Sequence, residues 1–229
     1  MDIAILLDSS SYLGKGNFEQ LKTFAKNFIT YFRLNNKGLG PFIGIVPYSD
    51  PPVARVEMIN FRYSKSIEKL SGKIDKMKYA GGAGARLDLA FQAARQTLFT
   101  TNMGARSWVP RVILAVTGTW RTWIPYIKRS VQLQASAARD EGIKVMVASV
   151  GATEDEDRAM MQSMVASKDD VFMVRYPYGL GQVAERLVRR LCPVPSRCSI
   201  INKFVEVNGN RYRHGHGHGH GHRHRYIDI

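Results

Sequence analysis

Three short apolar runs limit what this chain can fold into. Residues 3–7 (Ile-Ala-Ile-Leu-Leu), 111–116 and 144–150 are dominated by aliphatic side chains and end in polar or glycine signals. Runs of this length and bounding read as strands buried on both faces, the pattern of a parallel sheet covered by helices. The segments between them have a different period. Residues 17–34 place Phe18, Leu21, Phe24, Ala25, Phe28, Ile29 and Phe32 at steps of three and four, which predicts an amphipathic helix. Residues 64–77, 86–99, 127–141, 154–165 and 180–191 also read as helices, with Gly142 as the C-cap of the third of these. Residues 41–50 and 171–174 add strands. Residues 53–59, behind Pro51 and Pro52, predict a short antiparallel edge strand. The alternation predicts an α/β fold: a Rossmann-like, open, mostly parallel six-stranded sheet with one antiparallel edge strand and helices on both faces.

In open parallel sheets, function gathers beyond the carboxyl ends of the strands. The first run ends there in Asp8-Ser9-Ser10-Ser11-Tyr12. One carboxylate with several hydroxyls is a hard-oxygen set suited to Mg²⁺ or Ca²⁺, and the same serines can instead cap the following helix. The glycine-rich loop at 79–85 has no Lys-Ser or Lys-Thr after it and is not a Walker loop; no dinucleotide fingerprint follows the first strand. All six histidines lie beyond residue 213, so no Ser-His or Cys-His pair forms within the domain, and no enzyme is expected.

The formal charge is +14, and residues 201–229 hold five cations against two carboxylates, leaving +11 on residues 1–200. A domain this basic favours anionic partners such as sulfated glycans, nucleic acid or acidic proteins. No apolar run reaches membrane-spanning length. A core strand opening at residue 2 suggests a mature fragment or an expressed domain. The two cysteines, Cys192 and Cys198, suit a local disulfide in an oxidising compartment, with two free thiols as the alternative. Residues 203–213 read as a hairpin turning at Asn208-Gly209. His214, His216, His218, His220, His222 and His224 then recur at every second position. In an extended chain they share one face and could bind Zn²⁺, Cu²⁺ or Ni²⁺; a disordered linker, an affinity tail or a translated low-complexity repeat are the competing readings. The expected organisation is a domain at 1–192, a Cys/Pro linker and possible hairpin at 193–213, and a His/Gly/Arg-rich tail at 214–229.

The chain resembles a von Willebrand factor type A domain over about residues 2–192. The resemblance rests on Asp-Ile-Ala-Ile-Leu-Leu-Asp-Ser-Ser at 2–10, Ile-Gly-Ile-Val-Pro-Tyr-Ser-Asp at 43–50, Gly-Gly at 81–82, Val-Ile-Leu-Ala-Val-Thr at 112–117 and Gly-Ile-Lys-Val-Met-Val-Ala-Ser-Val-Gly at 142–151. Integrin inserted domains, matrilins and type VI collagen share this fold. The resemblance implies a secreted, extracellular-matrix adhesion module and a metal-ion-dependent adhesion site. Asp8 and Ser10 match the first two ligand positions of that site. Tyr12, Ala83 and Gly118 stand where Ser, Thr and Asp are expected, so at most weak metal binding is implied, with Ser9, Thr117 and Thr119 as possible rescue hydroxyls. No cofactor is required. The expected partner is a collagen-like protein or an anionic glycan, held through Trp120, Arg121, Trp123 and Arg86, with Arg106 on an adjacent loop. Arg86 or Arg121 is a candidate counter-charge for Asp8. Ordinary packing of the tryptophans and a solvated basic face are the bland readings of the same residues. Alternatives are a nucleic-acid-binding or intracellular scaffolding member of the fold, and a structural matrix domain assembled through its tail. Sister domains or self-association fit either matrix reading.

Overall fold

The computed structural model describes residues 1–34, 40–50, 58–118, 124–151 and 155–192. Five parallel strands form one sheet: β1 (Asp2–Asp8), β2 (Phe42–Tyr48), β3 (Arg111–Thr117), β4 (Lys144–Val150) and β5 (Val171–Val174), in the order β2-β1-β3-β4-β5. The helices are α1 (Lys15–Ile29), α2 (Ile67–Asp75), α3 (Leu87–Ala93), α4 (Pro125–Asp140), α5 (Asp155–Met164) and α6 (Leu180–Leu191). Side chains alternate across a strand, so each apolar run feeds two cores. Ile3, Ile5 and Leu7 of β1 join Phe18, Phe28, Ile74 and Leu187 of α1, α2 and α6 on one face. Ala4 and Leu6 join Phe91, Val131 and Met161 of α3, α4 and α5 on the other. This is why the runs contain no polar residue in their middles.

The sequence-predicted sixth strand falls mostly on residues 51–57, outside the described ones. Its end contributes an antiparallel bridge in which Ile45 and Ile59 exchange both backbone hydrogen bonds, at 2.9 and 3.0 Å. Three predicted helices are shorter or more broken than their periodicity implies. The first stops at Ile29, because the Thr30 hydroxyl bonds the Asn27 carbonyl at 2.7 Å and the chain turns, although Phe32 stays buried. The span 64–77 divides into a 3₁₀ turn, Phe61–Lys65, and α2. The cause is Ser64, whose buried hydroxyl accepts from Ile43 N–H and donates to Ile43 C=O, both at 2.6 Å. Ser66 then caps α2 by accepting from Lys69 N–H. The span 86–99 leaves α3 through a π-type segment, Ala94–Leu98. Gly142 caps α4 as its position predicts: its φ is 74°, its N–H bonds Arg139 O, and Ile143 N–H bonds Ala138 O.

The sheet order reverses between β1 and β3. A crevice opens at such a switch point, beyond the carboxyl ends of the two strands. Asp8 and Thr117 are the last residues of those strands.

Candidate functional site at the carboxyl ends of the strands

Asp8 is fully buried, and backbone amides hold its carboxylate from two directions. Ser10 N–H donates to Oδ1 at 2.9 Å and Gly118 N–H donates to Oδ2 at 3.1 Å. The glycine loop closes over the same spot. Ala80 N–H bonds Ser9 Oγ at 2.8 Å, Gly81 N–H bonds Ser9 O, Ser11 N–H bonds Gly82 O, and Gly82 N–H bonds Ser49 Oγ. Only a glycine fits at 82, because a Cβ there would collide with the Asp50 carbonyl and the Ser49 hydroxyl. Ser9 therefore fixes the loop. The helix-cap reading of these serines does not hold: α1 begins after Gly14 with no side-chain cap.

The hydroxyls of Ser10, Thr117 and Ser149 are buried and make no hydrogen bond among the described residues. Thr117 and Ser149 are register partners at the ends of β3 and β4. Leaving a buried polar group unpaired costs about 1–3 kcal/mol, so three together mark a place where packing does not set the chemistry. Tyr48 forms the neighbouring wall. Its hydroxyl donates to Val116 O at 3.3 Å. Burial, and then the nearby Asp8 charge, push its pKa well above the ordinary phenol value; the Thr117 hydroxyl opposes this weakly without reaching hydrogen-bond geometry. Tyr48 is therefore a neutral donor at any physiological pH.

Divalent cations of the Mg²⁺ and Ca²⁺ type need about six oxygens. Here one carboxylate, already engaged by two amides, meets two free hydroxyls, those of Ser10 and Thr117. A Cβ on Gly118 would lie 2.5 Å from Cδ1 of buried Leu13, so a longer side chain at 118 would require the end of Leu13 to shift. Ala83 is exposed and has no ligand atom, and Tyr12 turns outward. No cluster of three or more His, Cys, Asp or Glu residues suited to a metal occurs among the described residues. These residues do not fit a complete adhesion-site cation.

Two expected arginines are elsewhere. Arg86 forms a two-pronged pair with Asp88, Nε to Oδ1 and Nη2 to Oδ2 both at 2.9 Å, and Ser130 Oγ joins that carboxylate at 2.8 Å. Its guanidinium is committed to Asp88 and does not serve as the counter-charge of Asp8. Arg106 lies at the opposite pole. It pairs with Asp2, the first residue of β1, through Nη2 at 2.6 Å, Nε at 2.9 Å and its backbone N–H at 2.7 Å, and stacks over Phe42. Trp120, Arg121 and Trp123 lie outside the described residues, as do Cys198 and the six tail histidines. Cys192 is buried and is not a free thiol.

Sequence reasoning missed the aromatic rim. Tyr12, Ile124, Tyr126, Tyr176 and Tyr178 are all exposed and all follow the carboxyl end of a strand. Tyr176 and Tyr178 stack with centroids 5.3 Å apart, and Arg175 lies 5.6 Å over the Tyr176 ring. The signal available was Arg-Tyr-Pro-Tyr directly after a strand, a place where apolar side chains have no core to enter.

Comparison with known proteins bears on this geometry. A family model described as the von Willebrand factor type A domain matches residues 2–185. Cochlin from Bos taurus is 25% identical over 199 residues, covering 83% of this chain and 34% of its own length. Vitrin from Mus musculus is 26% identical over 200 residues, with 84% and 29% covered. The collagen alpha-1(XXI) chain from Xenopus laevis is 27% identical over 191 residues, with 83% and 18% covered. The chain thus spans about a third or less of these relatives. Among solved structures, proximal thread matrix protein 1 from the mussel byssus superposes with a TM-score of 0.71 at 19% identity, over 83% of this chain and 47% of that one. One structure of that protein has zinc in its MIDAS motif. At this identity the likeness concerns the fold.

Proposed function

Because the chain belongs to the von Willebrand factor type A domain family, we propose that it is a non-enzymatic adhesion module of the extracellular matrix whose tip grips a collagen-like protein without a metal. The donor set carries the metal-free part of this reading: one carboxylate, Asp8, is already held by two backbone amides, and Tyr12, Ala83 and Gly118 stand at the other expected ligand positions. The grip comes instead from the aromatic rim. Exposed tyrosines beside an arginine offer flat, stiff apolar area with a hydrogen-bonding end, the composition of binding hot spots. Trp120, Arg121 and Trp123 belong to the same surface in this reading. A Cys192–Cys198 bridge and secretion go with it. The tail histidines, His214 to His224, are then the chain's proposed ligands for Zn²⁺, Cu²⁺ or Ni²⁺.

The test is binding of the full chain to immobilised fibrillar collagen, with and without EDTA, beside calorimetric titration of Mg²⁺ and Mn²⁺. Binding should survive EDTA, and neither ion should give a saturable heat. The double variant Tyr176→Ala, Tyr178→Ala should weaken binding about 30-fold, a hot-spot loss of about 2 kcal/mol. Binding that appears only with Mg²⁺ or Mn²⁺ would sink the metal-free reading; a double variant that folds and binds like the parent would sink the rim.

A further inference from the structure

The two edges of the sheet are finished differently. Along β2 the outer edge is closed by the Ile45–Ile59 bridge and by the Ser64 hydroxyl on Ile43. Along β5 the described residues pair only with β4, and the outer side opens into a groove of about 650 Å³ between α5 and α6. Five cations line it, Arg158, Lys168, Arg186, Arg189 and Arg190, against one carboxylate, Asp169. All five are exposed. They come from α5, from the turn before β5 and from α6, so the fold gathers charge that the sequence keeps apart. Arg190 is neutralised by Asp170 at 2.8 Å, and Arg189 pairs with Glu185 at 2.8 Å. Arg158, Lys168 and Arg186 have no acidic partner among the described residues; Arg186 lies over the Phe172 ring at 5.6 Å.

We propose that this groove is a second binding site, for a sulfated glycosaminoglycan. Cations converging on a concave, partly walled surface raise the local concentration of anions, and arginine forks match sulfate oxygens two at a time. The groove suits a glycan better than nucleic acid. Single strands are held by bases stacking on exposed rings, and the one ring here, Phe172, is buried beneath Arg186. The groove, of about 650 Å³, has room for a few sugar units.

The α6 end of the site points away from the tip. The end of α6 lies at the pole where the strands begin, since Lys144 Nζ, on the first residue of β4, bonds Arg190 O at 3.3 Å. The two readings therefore fail separately, and a matrix protein carrying both sites would hold protein and glycan at once.

The test uses the full chain and a heparin oligosaccharide, with affinity measured across a salt series. The triple variant Arg158→Gln, Lys168→Gln, Arg186→Gln should bind at least tenfold more weakly, with a salt dependence shallower by about three charges, while collagen binding stays unchanged. A charge-matched control on the far flank, Lys65→Gln, Lys69→Gln, Lys76→Gln, should stay within twofold of the parent. If the triple variant is unstable, Arg158→Gln alone, on an exposed side chain with no acidic partner among the described residues, should still lower affinity measurably. Unchanged heparin affinity in the groove variants, equal loss in the control, equal binding of desulfated heparin, or tighter groove-dependent binding of duplex DNA would each overturn the proposal.

Discussion

At Gly118 the absence of a side chain sets what its neighbours do. Its amide holds Asp8, and Leu13 occupies the volume beside its Cα. Gly118→Asp should therefore destabilise the domain by about 1–3 kcal/mol through overpacking, read as a lower urea midpoint. It should not create a Mg²⁺ site. Adding Leu13→Ala should relieve the clash and recover part of the midpoint, whereas recovery to the parent by Gly118→Asp alone would show that Leu13 moves freely. The residue types at 12, 83 and 118 could be compared with the adhesion-site motif from the sequence, because a motif compares one position at a time. Leu13 was not legible in this way, because which side chain fills a space depends on packing across strands. Arg106 was misplaced for a simpler reason. It precedes β3, and the segment before a parallel strand arrives at the amino-terminal pole, so strand direction alone puts it beside Asp2.

For whole elements, the strands and the last three helices were readable, and the breaks inside the first three helical spans were not. A strand buried on both faces writes its apolar run into the sequence, and β1, β2, β3 and β4 match that reading closely. The breaks in helices come from side chains bonding backbone, which leaves no periodic trace. Ser64 is the clearest case, since a single hydroxyl both ends a helical span and seals the edge of β2. Ser64→Ala should leave a buried N–H and C=O at Ile43 unpaired and cost about 2–3 kcal/mol. Amide exchange at Ile43 should quicken by more than at Ile5 in the neighbouring strand. Equal protection at both residues would mean that Ser64 contributes packing only. The same contrast between edges, one stitched and one open, exposes the groove beside β5.

Across the molecule, the +14 charge and the Asp88 carboxylate act together in acid. Burial pushes the Asp88 carboxyl up, but hydrogen bonds from Arg86 and Ser130 and the guanidinium charge outweigh it and hold it below the ordinary value. A carboxylate depressed by folding stabilises the protein fully above its unfolded pKa and loses that contribution as pH falls through its folded pKa. Stability should therefore decline below the usual carboxylate range. Asp88→Asn should have lower stability at neutral pH and a shallower acid limb in denaturant melts taken at descending pH; an unchanged limb would assign the acid sensitivity to other groups. Rising positive charge adds self-repulsion, so raising salt to about 0.15 M should soften the decline for parent and variant alike. The positions of Met1 and Cys192 carry a mechanical consequence. Met1 O bonds Phe42 N–H at the start of β2, and Arg190 meets the start of β4, so the polypeptide enters and leaves the domain at one pole while the tip faces the other. A force applied between Met1 and Cys192 would run across that pole and reach α6 as a peeling load, leaving the tip off the line of force. Tension from a partner held at the tip runs down the strands and loads the ladder between β1 and its two neighbours in shear, where many hydrogen bonds must give way together.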